Sequence, residues 1–77
     1  MRLSILTLDK TLYEGEAKSV SVPGIYGRLQ VLDHHVPLIT ALKKGKIKIE
    51  MAKDAREFEV EGGVLEIRLD EVNILLH

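Results

Sequence analysis

Residues 46–51 read KIKIEM, and this stretch decides the fold class. Ile47, Ile49 and Met51 occupy every second position, and charged side chains occupy the positions between them. Successive side chains of a β-strand point to opposite faces of the sheet. The alternation therefore predicts a strand with one buried face and one solvated face.

The same alternation recurs on both sides of this stretch, which indicates a series of short strands. The apolar positions that follow a period of two residues are Leu3, Ile5, Val20, Val22, Leu29, Val31, Phe58, Val60, Leu65, Ile67, Leu69, Val72, Ile74 and Leu76. Turn signals separate these runs at residues 9–10, 23–24, 33–37, 53–56, 62–63 and 70–71. We predict that Pro23 and Gly24 end the third strand, because proline lacks the N–H that a strand ladder uses.

No stretch of the chain shows the i, i+3, i+4 spacing of an amphipathic helix, so we predict an all-β domain. Turn signals roughly every ten residues are typical of a two-sheet β-sandwich or flattened barrel, here of about eight to ten short strands. Two stacked sheets bury both apolar faces, whereas a single sheet leaves one of them in water. With 77 residues, the chain is long enough for one domain, residues 1–77, and too short for two.

The composition is that of a globular protein, with 45% hydrophobic and 30% charged residues. The chain has no cysteine, which excludes disulfides and thiolate chemistry. A net charge of −1 argues against a nucleic-acid-binding protein, whose affinity depends on neutralising phosphates. The first residues lack the apolar run of a signal peptide, and no uncharged stretch reaches the roughly 20 residues that span a bilayer. We therefore expect any membrane contact to go through another protein.

The charge is unevenly distributed, since residues 1–53 hold nine Lys or Arg against five Asp or Glu, and residues 54–77 hold two against seven. We interpret this as strand pairing that interleaves opposite charges, with a polarised surface that orients a partner as the alternative. The four lysines between residues 43 and 48 are typical of strand residues that discourage edge-to-edge aggregation. A basic patch for phosphate or lipid head groups is the alternative for them.

Few residues could carry chemistry. His34 and His35 are adjacent, so their side chains point apart in an extended segment, and we expect no metal site there. No serine or threonine stands in a nucleophile motif, and the glycines lack phosphate-loop spacing. We interpret Glu57, Glu59 and Glu61 as a solvated strand face. We therefore expect no catalytic, cofactor or metal site, and the residues alone indicate a small soluble binding module.

Residues 27–45, GRLQVLDHHVPLITALKKG, resemble the epsilon subunit of F-type ATP synthases from bacteria and plastids. The family pattern has a glycine and a hydrophobic residue before a loop that ends in His-x-Pro-Leu-[Leu/Ile]-[Thr/Ser]-x-Leu, and a glycine opens the next strand. The matching residues are Gly27, Leu29, His35, Pro37, Leu38, Ile39, Thr40, Leu42 and Gly45. Further matches are GGVLEI at residues 62–67, the closing Val72, Ile74 and Leu75, and Tyr13 two residues before Gly15.

The resemblance implies a ten-stranded sandwich that works as a non-catalytic subunit of the central stalk. It implies binding to the gamma subunit and to the membrane ring of proteolipid subunits, and coupling of ATP synthesis or hydrolysis to proton transport. The residues implied to face the ring and the foot of gamma are Gly27, Arg28, Leu29, Asp33, His34 and His35. The region near Thr7 and Thr40 is implied to face gamma along one sheet.

The implied location is the cytoplasmic face of the bacterial inner membrane, as a peripheral part of the complex, with a plastid as the less favoured location. We expect no cofactor, no nucleic-acid partner and a monomeric isolated chain. The alternative function is a free-standing β-sandwich binding module for a peptide or a small ligand. The sequence leaves open the organism, the coupling ion and which sheet faces gamma.

Two features depart from the family pattern. Arg28 stands where relatives often carry an acidic residue, which reverses the charge offered to the ring. The chain ends at His77, where most members continue into a two-helix hairpin that inhibits ATP hydrolysis and in some members binds ATP. We therefore expect this polypeptide, whether truncated or naturally short, neither to inhibit hydrolysis by hairpin insertion nor to hold a nucleotide.

Overall fold

The computed structural model describes residues 1–77 and contains nine β-strands and no helix. The strands are β1 (Arg2–Leu6), β2 (Thr11–Glu16), β3 (Ser19–Gly24), β4 (Gly27–Leu32), β5 (Leu38–Leu42), β6 (Gly45–Glu50), β7 (Ala55–Val60), β8 (Gly63–Ile67) and β9 (Glu71–Leu76). Nine strands lie within the number that the alternation predicts, and they are one fewer than the resemblance implies. The chain accordingly has no helix of the length and apolarity needed to cross a membrane.

Hydrogen bonds connect the strands in the order β2-β1-β9-β8-β5-β3-β6-β7, and β4 pairs with the remaining side of β3. Neighbouring strands are antiparallel with one exception, because β1 and β9 run parallel. In that parallel pair, Leu3 lies opposite Val72 and Ile5 lies opposite Ile74. The first and last strands of the chain therefore meet in the middle of the same sheet.

Strand β3 changes its partner along its length, and this change divides the path into two sheets. Ser19, Val20 and Ser21 pair with β6, whereas Gly24 pairs with Leu42 of β5. We call β4-β3-β6-β7 sheet 1 and β2-β1-β9-β8-β5 sheet 2. Buried side chains from both sheets form a single hydrophobic core, so the sheets face each other and the predicted β-sandwich is confirmed.

The core contains fourteen buried hydrophobic residues. In the KIKIEM stretch, Ile47 and Ile49 are fully buried, Lys46 and Lys48 are exposed on the outer face, and Met51 is half-buried just beyond the end of β6. Sheet 1 contributes Val20, Val22, Val31, Ile47, Ile49 and Val60, sheet 2 contributes Leu3, Ile5, Leu42, Leu65, Ile67, Val72 and Ile74, and the connection between β2 and β3 contributes Ala17.

Strand pairing interleaves the unevenly distributed charges, as predicted. Strand β6, from the positive part of the sequence, lies beside β7, from the negative part, with Lys46 opposite Glu59 and Lys48 opposite Glu57. The Nζ atoms of Lys46 and Lys48 lie 3.9 Å and 3.7 Å from carboxylate oxygens of Glu57. Exposed ion pairs contribute only about 0–1 kcal/mol to stability, so their main effect is to neutralise the outer face of sheet 1.

The third strand ends at Gly24, as predicted, but Pro23 and Gly24 are the last two residues of the strand and not the turn. Both residues are buried inside β3 and pair with the first two residues of β4, and the chain turns afterwards at residues 25–26. The carbonyl of Pro23 accepts a hydrogen bond from the Lys43 N–H, at 2.9 Å, on the side of β3 that faces β5 and β6. The N–H that proline lacks would point to the same side, where pairing with β6 has already ended at Ser21, so no ladder bond is lost.

Three smaller boundaries also differ from the predictions. Strand β7 begins at Ala55, so the turn predicted at residues 53–56 ends earlier. Leu69 continues the alternation of β8, and Leu8 alternates with Leu6 on the outer face of β1, but both are exposed in the turns that follow those strands. A turn residue can keep the hydrophobic period without any pairing partner, so the alternation extends past the strand ends.

We predict that Ile49→Ala lowers the free energy of unfolding by about 2–5 kcal/mol, because it opens a cavity between the two sheets. Urea denaturation followed by circular dichroism measures the change. Lys48→Ala is the matched control, because it shortens an exposed side chain at the neighbouring position and should change stability by no more than about 1 kcal/mol. Equal effects of the two substitutions would contradict the burial pattern.

Candidate partner-binding surfaces

The residues implied to bind partners divide into groups at opposite ends of the sandwich. Gly27, Arg28 and Leu29 open β4 beside the β3–β4 turn, whereas Asp33, His34 and His35 follow the last residue of β4. A strand advances by about 3.3 Å per residue, so roughly 20 Å of chain separates the two groups. The two groups therefore lie at opposite ends of β4.

Each end of the sandwich has a characteristic set of connections. What we call the Tyr26 end carries the β1–β2, β3–β4 and β5–β6 turns, and the Tyr26 side chain is 94% exposed there. What we call the Met1 end carries residues 33–37 and the β8–β9 turn. The sandwich thus presents two ends and two sheet faces to partners.

A hollow of about 230 Å³ lies near the Tyr26 end, between the start of β4 and the edge of β5. It brings together four of the implied residues, because Thr40 of β5 lines it together with the first three residues of β4. The residues around the hollow are Gly24, Tyr26, Gly27, Arg28, Leu29, Leu38 and Thr40. Thr40 is half-buried, so its side chain belongs to the wall of the hollow.

The Arg28 side chain lies across the outer face of sheet 1. Its Nε donates a hydrogen bond to Ser21 Oγ at 2.9 Å, and its Nη2 donates to the Lys46 carbonyl at 2.6 Å and to the Ser21 carbonyl at 3.4 Å. These bonds join β4, β3 and β6 beyond the last pair that β3 forms with β6. The guanidinium group therefore bridges the point where β3 and β6 separate, a role that an acidic side chain could not fill.

Asp33 binds the first residue of the chain. Its Oδ1 lies 2.8 Å from the Met1 α-ammonium group, which also donates a hydrogen bond to the Ala17 carbonyl at 2.9 Å and lies 3.5 Å from Glu16 Oε1. The hydrogen bond from the ammonium group, followed by its charge, lowers the pKa of Asp33. The same hydrogen bond is the largest cause of the raised pKa of the Met1 amine. The pair fastens residues 33–37 to the start of the chain.

The two histidines of this loop have separate environments. His34 is exposed and has a φ of 66°, in the left-handed region, so it forms the bend of the loop. The Nδ1 of the half-buried His35 lies 2.8 Å from the Val36 carbonyl and donates to it when protonated. Nowhere in residues 1–77 do three or more His, Cys, Asp or Glu side chains converge as they would around a metal ion.

Thr7 holds the β1–β2 turn at the Tyr26 end. Its Oγ1 accepts hydrogen bonds from the backbone N–H groups of Asp9 and Lys10, at 3.2 Å and 3.1 Å. Its own N–H donates to the Lys10 carbonyl at 2.8 Å. The Thr7 hydroxyl is therefore occupied within the turn, and what the region offers to a partner is its backbone and the fully exposed Leu8.

An exposed apolar row on sheet 2 was not predicted from the sequence. Leu6, Leu75, Val64 and Ala41 lie opposite one another on four adjacent strands, in the order β1-β9-β8-β5. Their chain neighbours point into the core, so these four side chains form the outer face of the sheet. Leu75 is 55% exposed and Val64 is 41% exposed. We call these four residues the apolar row.

The apolar row connects the two regions implied to face gamma. Thr7 follows Leu6 at one end of the row, and Thr40 precedes Ala41 at the other. The sequence contains a signal for the row, because residues 74–76 and, apart from Thr40, residues 38–42 are apolar at both alternating positions. That pattern is also typical of a strand buried on both faces, so it does not predict that the side chains of the row are exposed.

The whole chain, residues 1–77, matches the family model described as ATP synthase, delta/epsilon chain, beta-sandwich domain. The chain is 37% identical over 75 residues to the ATP synthase epsilon chain of Dehalococcoides mccartyi, covering 97% of this chain and 54% of that protein. It is 41% identical over 76 residues to the ATP synthase epsilon chain of Polynucleobacter necessarius, covering 97% and 55%. The chain thus spans about half of the length of these curated relatives.

A solved structure of the Euglena gracilis mitochondrial ATP synthase with its c-ring contains a chain of similar fold. The TM-score is 0.89 at 17% sequence identity, and the match covers 96% of this chain and 48% of that chain. At this level of identity the likeness establishes the fold alone. It agrees with the nine-stranded sandwich described above.

We predict that Asp33→Asn removes a pH-dependent part of the stability. Because the folded-state pKa of Asp33 is lowered, its contribution is present above the unfolded-state pKa near 3.8 and is lost as the pH falls through the folded-state value. Because the pKa of the Met1 amine is raised, its contribution is present below about 8.0 and is lost as the pH rises through the folded-state value. Urea titrations between pH 2 and pH 10 should show the parent chain losing its advantage over the variant at both extremes, and a pH-independent difference would contradict the pairing.

We predict that Arg28→Ala lowers the free energy of unfolding by about 1 kcal/mol, because hydrogen bonds across the separation of β3 and β6 are lost. Arg28→Lys is the control for charge, since lysine keeps the charge but lacks the planar fork that reaches two acceptors. Chemical denaturation should place the lysine variant near the alanine variant. A lysine variant as stable as the parent would mean that only the charge matters.

Proposed function

Because this chain belongs to the β-sandwich domain family of ATP synthase delta and epsilon chains, we propose that residues 1–77 form one non-catalytic domain of the central stalk of a rotary ATP synthase. The domain binds the gamma subunit and the proteolipid ring, and it holds them in the relative position that couples ATP synthesis or hydrolysis to proton transport. The exposed apolar row is the observation that carries the proposal, because it is a surface suited to a protein partner.

Gamma binds to the outer face of sheet 2 along the apolar row. Contiguous apolar side chains on a soluble domain commonly mark an interaction site, particularly when polar groups surround them. Here Asn73 Nδ2 donates a hydrogen bond to Glu66 Oε1 at 3.3 Å beside the row, and Arg68 Nε lies 3.3 Å from Glu66 Oε2. The combination of apolar centre and polar rim supports a modest protein–protein interface on this face.

The proteolipid ring contacts the Tyr26 end. Tyr26 projects from the β3–β4 turn, and the hollow behind it offers Gly27, Leu29 and Thr40 as lining residues. The guanidinium group of Arg28 is not directed at this partner, because it is hydrogen-bonded to Ser21 and to the Lys46 carbonyl on sheet 1. The reversed charge at position 28 is therefore compatible with a ring contact made by neighbouring residues.

The loop formed by Asp33, His34 and His35 lies at the other end and stays a predicted contact of gamma. It leads directly into β5, whose outer face borders the apolar row, so one extended partner could contact both. The domain is peripheral at the cytoplasmic face of a bacterial inner membrane and reaches the membrane only through the complex. In isolation it is a monomer without a cofactor.

We predict that Leu75→Glu weakens binding to the cognate gamma subunit at least about tenfold, because it places a charge in the centre of an apolar contact. Isothermal titration calorimetry with purified gamma measures the affinity. Gln30→Glu is the matched control, since it adds the same carboxylate to an exposed position on sheet 1 and should leave the affinity within about twofold.

The two substitutions also discriminate between the candidate functions. Equal affinities of both variants and the parent would exclude the apolar row as the gamma surface. No binding by the parent chain would favour the free-standing binding module.

His35→Ala should weaken the complex while leaving the unfolding midpoint unchanged, and unchanged affinity would assign His35 to the structure of its loop.

A further inference from the structure

The free edges of the sandwich differ in how they are protected against pairing with another strand. The edge strands β2 and β7 carry charged side chains. Glu14 and Glu16 lie on β2, and Glu57 and Glu59 lie on β7. Charges on an edge strand discourage the addition of a further strand. Arg28 gives β4 a charged side chain as well. Strand β5 carries no charged residue at all.

Strand β5 also has an unpaired backbone on one side. Its five residues pair with β8, but on the other side the one ladder pair is that of Leu42 with Gly24 of β3. There the Ile25 N–H donates to the Ala41 carbonyl at 3.1 Å. The N–H and C=O of one residue in an antiparallel strand point to the same side, and every second residue repeats the direction. The N–H and C=O of Ile39 therefore point to the unpaired side.

The surroundings of this edge suit an extended chain. Ile39 is 69% exposed, and the hollow lined by Leu29, Leu38 and Thr40 lies between the edge and β4. A strand laid along β5 would bond to Ile39 and place alternate side chains into the hollow. Its other side chains would lie beside Ala41 and extend the apolar row by one strand.

We propose that the gamma subunit adds an extended, uncharged segment to the free edge of β5, so that sheet 2 continues into the partner. This inference rests on the proposed function, because it takes gamma as the occupant of the apolar row. The observations that carry it are the unpaired Ile39 backbone, the absence of charge along β5 and the continuity of the edge with the row. Backbone hydrogen bonds would supply affinity, and the hollow would select the side chains of the added segment.

An amide-to-ester replacement tests the backbone contact directly. The 77-residue chain is prepared by chemical ligation with an ester in place of the Leu38–Ile39 amide. The replacement removes the Ile39 N–H, and the Leu38 carbonyl, which is directed toward β8, stays in place as a weaker acceptor. Ile39→Val, which keeps that N–H and most of the side chain, is the matched control. We expect the ester to bind cognate gamma about tenfold more weakly, and the valine variant to bind within about twofold of the parent.

Hydrogen exchange of the parent chain supplies an independent readout. The Ile39 amide should exchange fast in the free chain and become protected when gamma is bound, whereas the Thr40 amide, directed toward β8, should be protected in both states. This measurement decides the matter even if the ester variant proves unstable.

The outcomes separate this inference from the function on which it rests. If gamma binds the parent and the ester equally and Ile39 stays unprotected, the strand addition is wrong while gamma binding stands. If the parent does not bind gamma at all, the proposed function fails and the inference fails with it. If Ile39 becomes protected only as the concentration of the chain itself rises, a second copy occupies the edge and gamma is overturned as its occupant.

Discussion

The change of partner by β3 is the constraint on which the sandwich depends. At this corner, backbone pairing passes from sheet 1 to sheet 2, because β3 pairs first with β6 and then with β5. The backbones approach closely there: a Cβ atom on Gly24 would lie 2.7 Å from the Gly27 carbonyl oxygen, and one on Gly45 would lie 2.8 Å from the Pro23 Cβ. Arg28 then bridges the strands where they separate. Pro23, Gly24, Gly45 and Arg28 thus allow β3 to change its partner at this corner.

The two seams between the sheets are closed by different means, and the difference supports the proposed binding at the edge of β5. On the side of β2 and β7, the Arg56 guanidinium lies 5.7 Å from the centre of the Tyr13 ring, and Leu12 and Phe58 pack against the core. Side chains therefore fill that seam. On the side of β4 and β5, the Met1 and Asp33 pair fastens only the Met1 end, and the hollow remains beyond it. An opening bordered by unpaired backbone is where an additional strand can be accommodated.

The alternation predicted most of the strands because one face of each strand is buried and the other is wet. KIKIEM is the clearest example, since Ile47 and Ile49 are in the core and their neighbours are charged. Pro23 was assigned to a turn although it pairs inside β3, because a local rule about missing N–H groups takes no account of where β6 diverges. The candidate site was predicted less well for a related reason. Asp33 and Gly27 are close in sequence, yet an extended strand between them carries them to opposite ends, and no local pattern reports which apolar strand face lacks a covering layer.

The contrast between the two outer faces supports the proposal that sheet 2 is the partner surface. On sheet 1, Lys48 and Glu57 interact with each other, and Arg28 bonds to backbone carbonyls, so its polar groups are already paired within the domain. A partner that covered this face would have to desolvate those groups without offering better contacts. On sheet 2, covering Leu75 and Val64 removes apolar surface from water and breaks no existing bond. Association would therefore gain free energy on sheet 2 and lose it on sheet 1, which supports the proposal that a protein partner binds sheet 2.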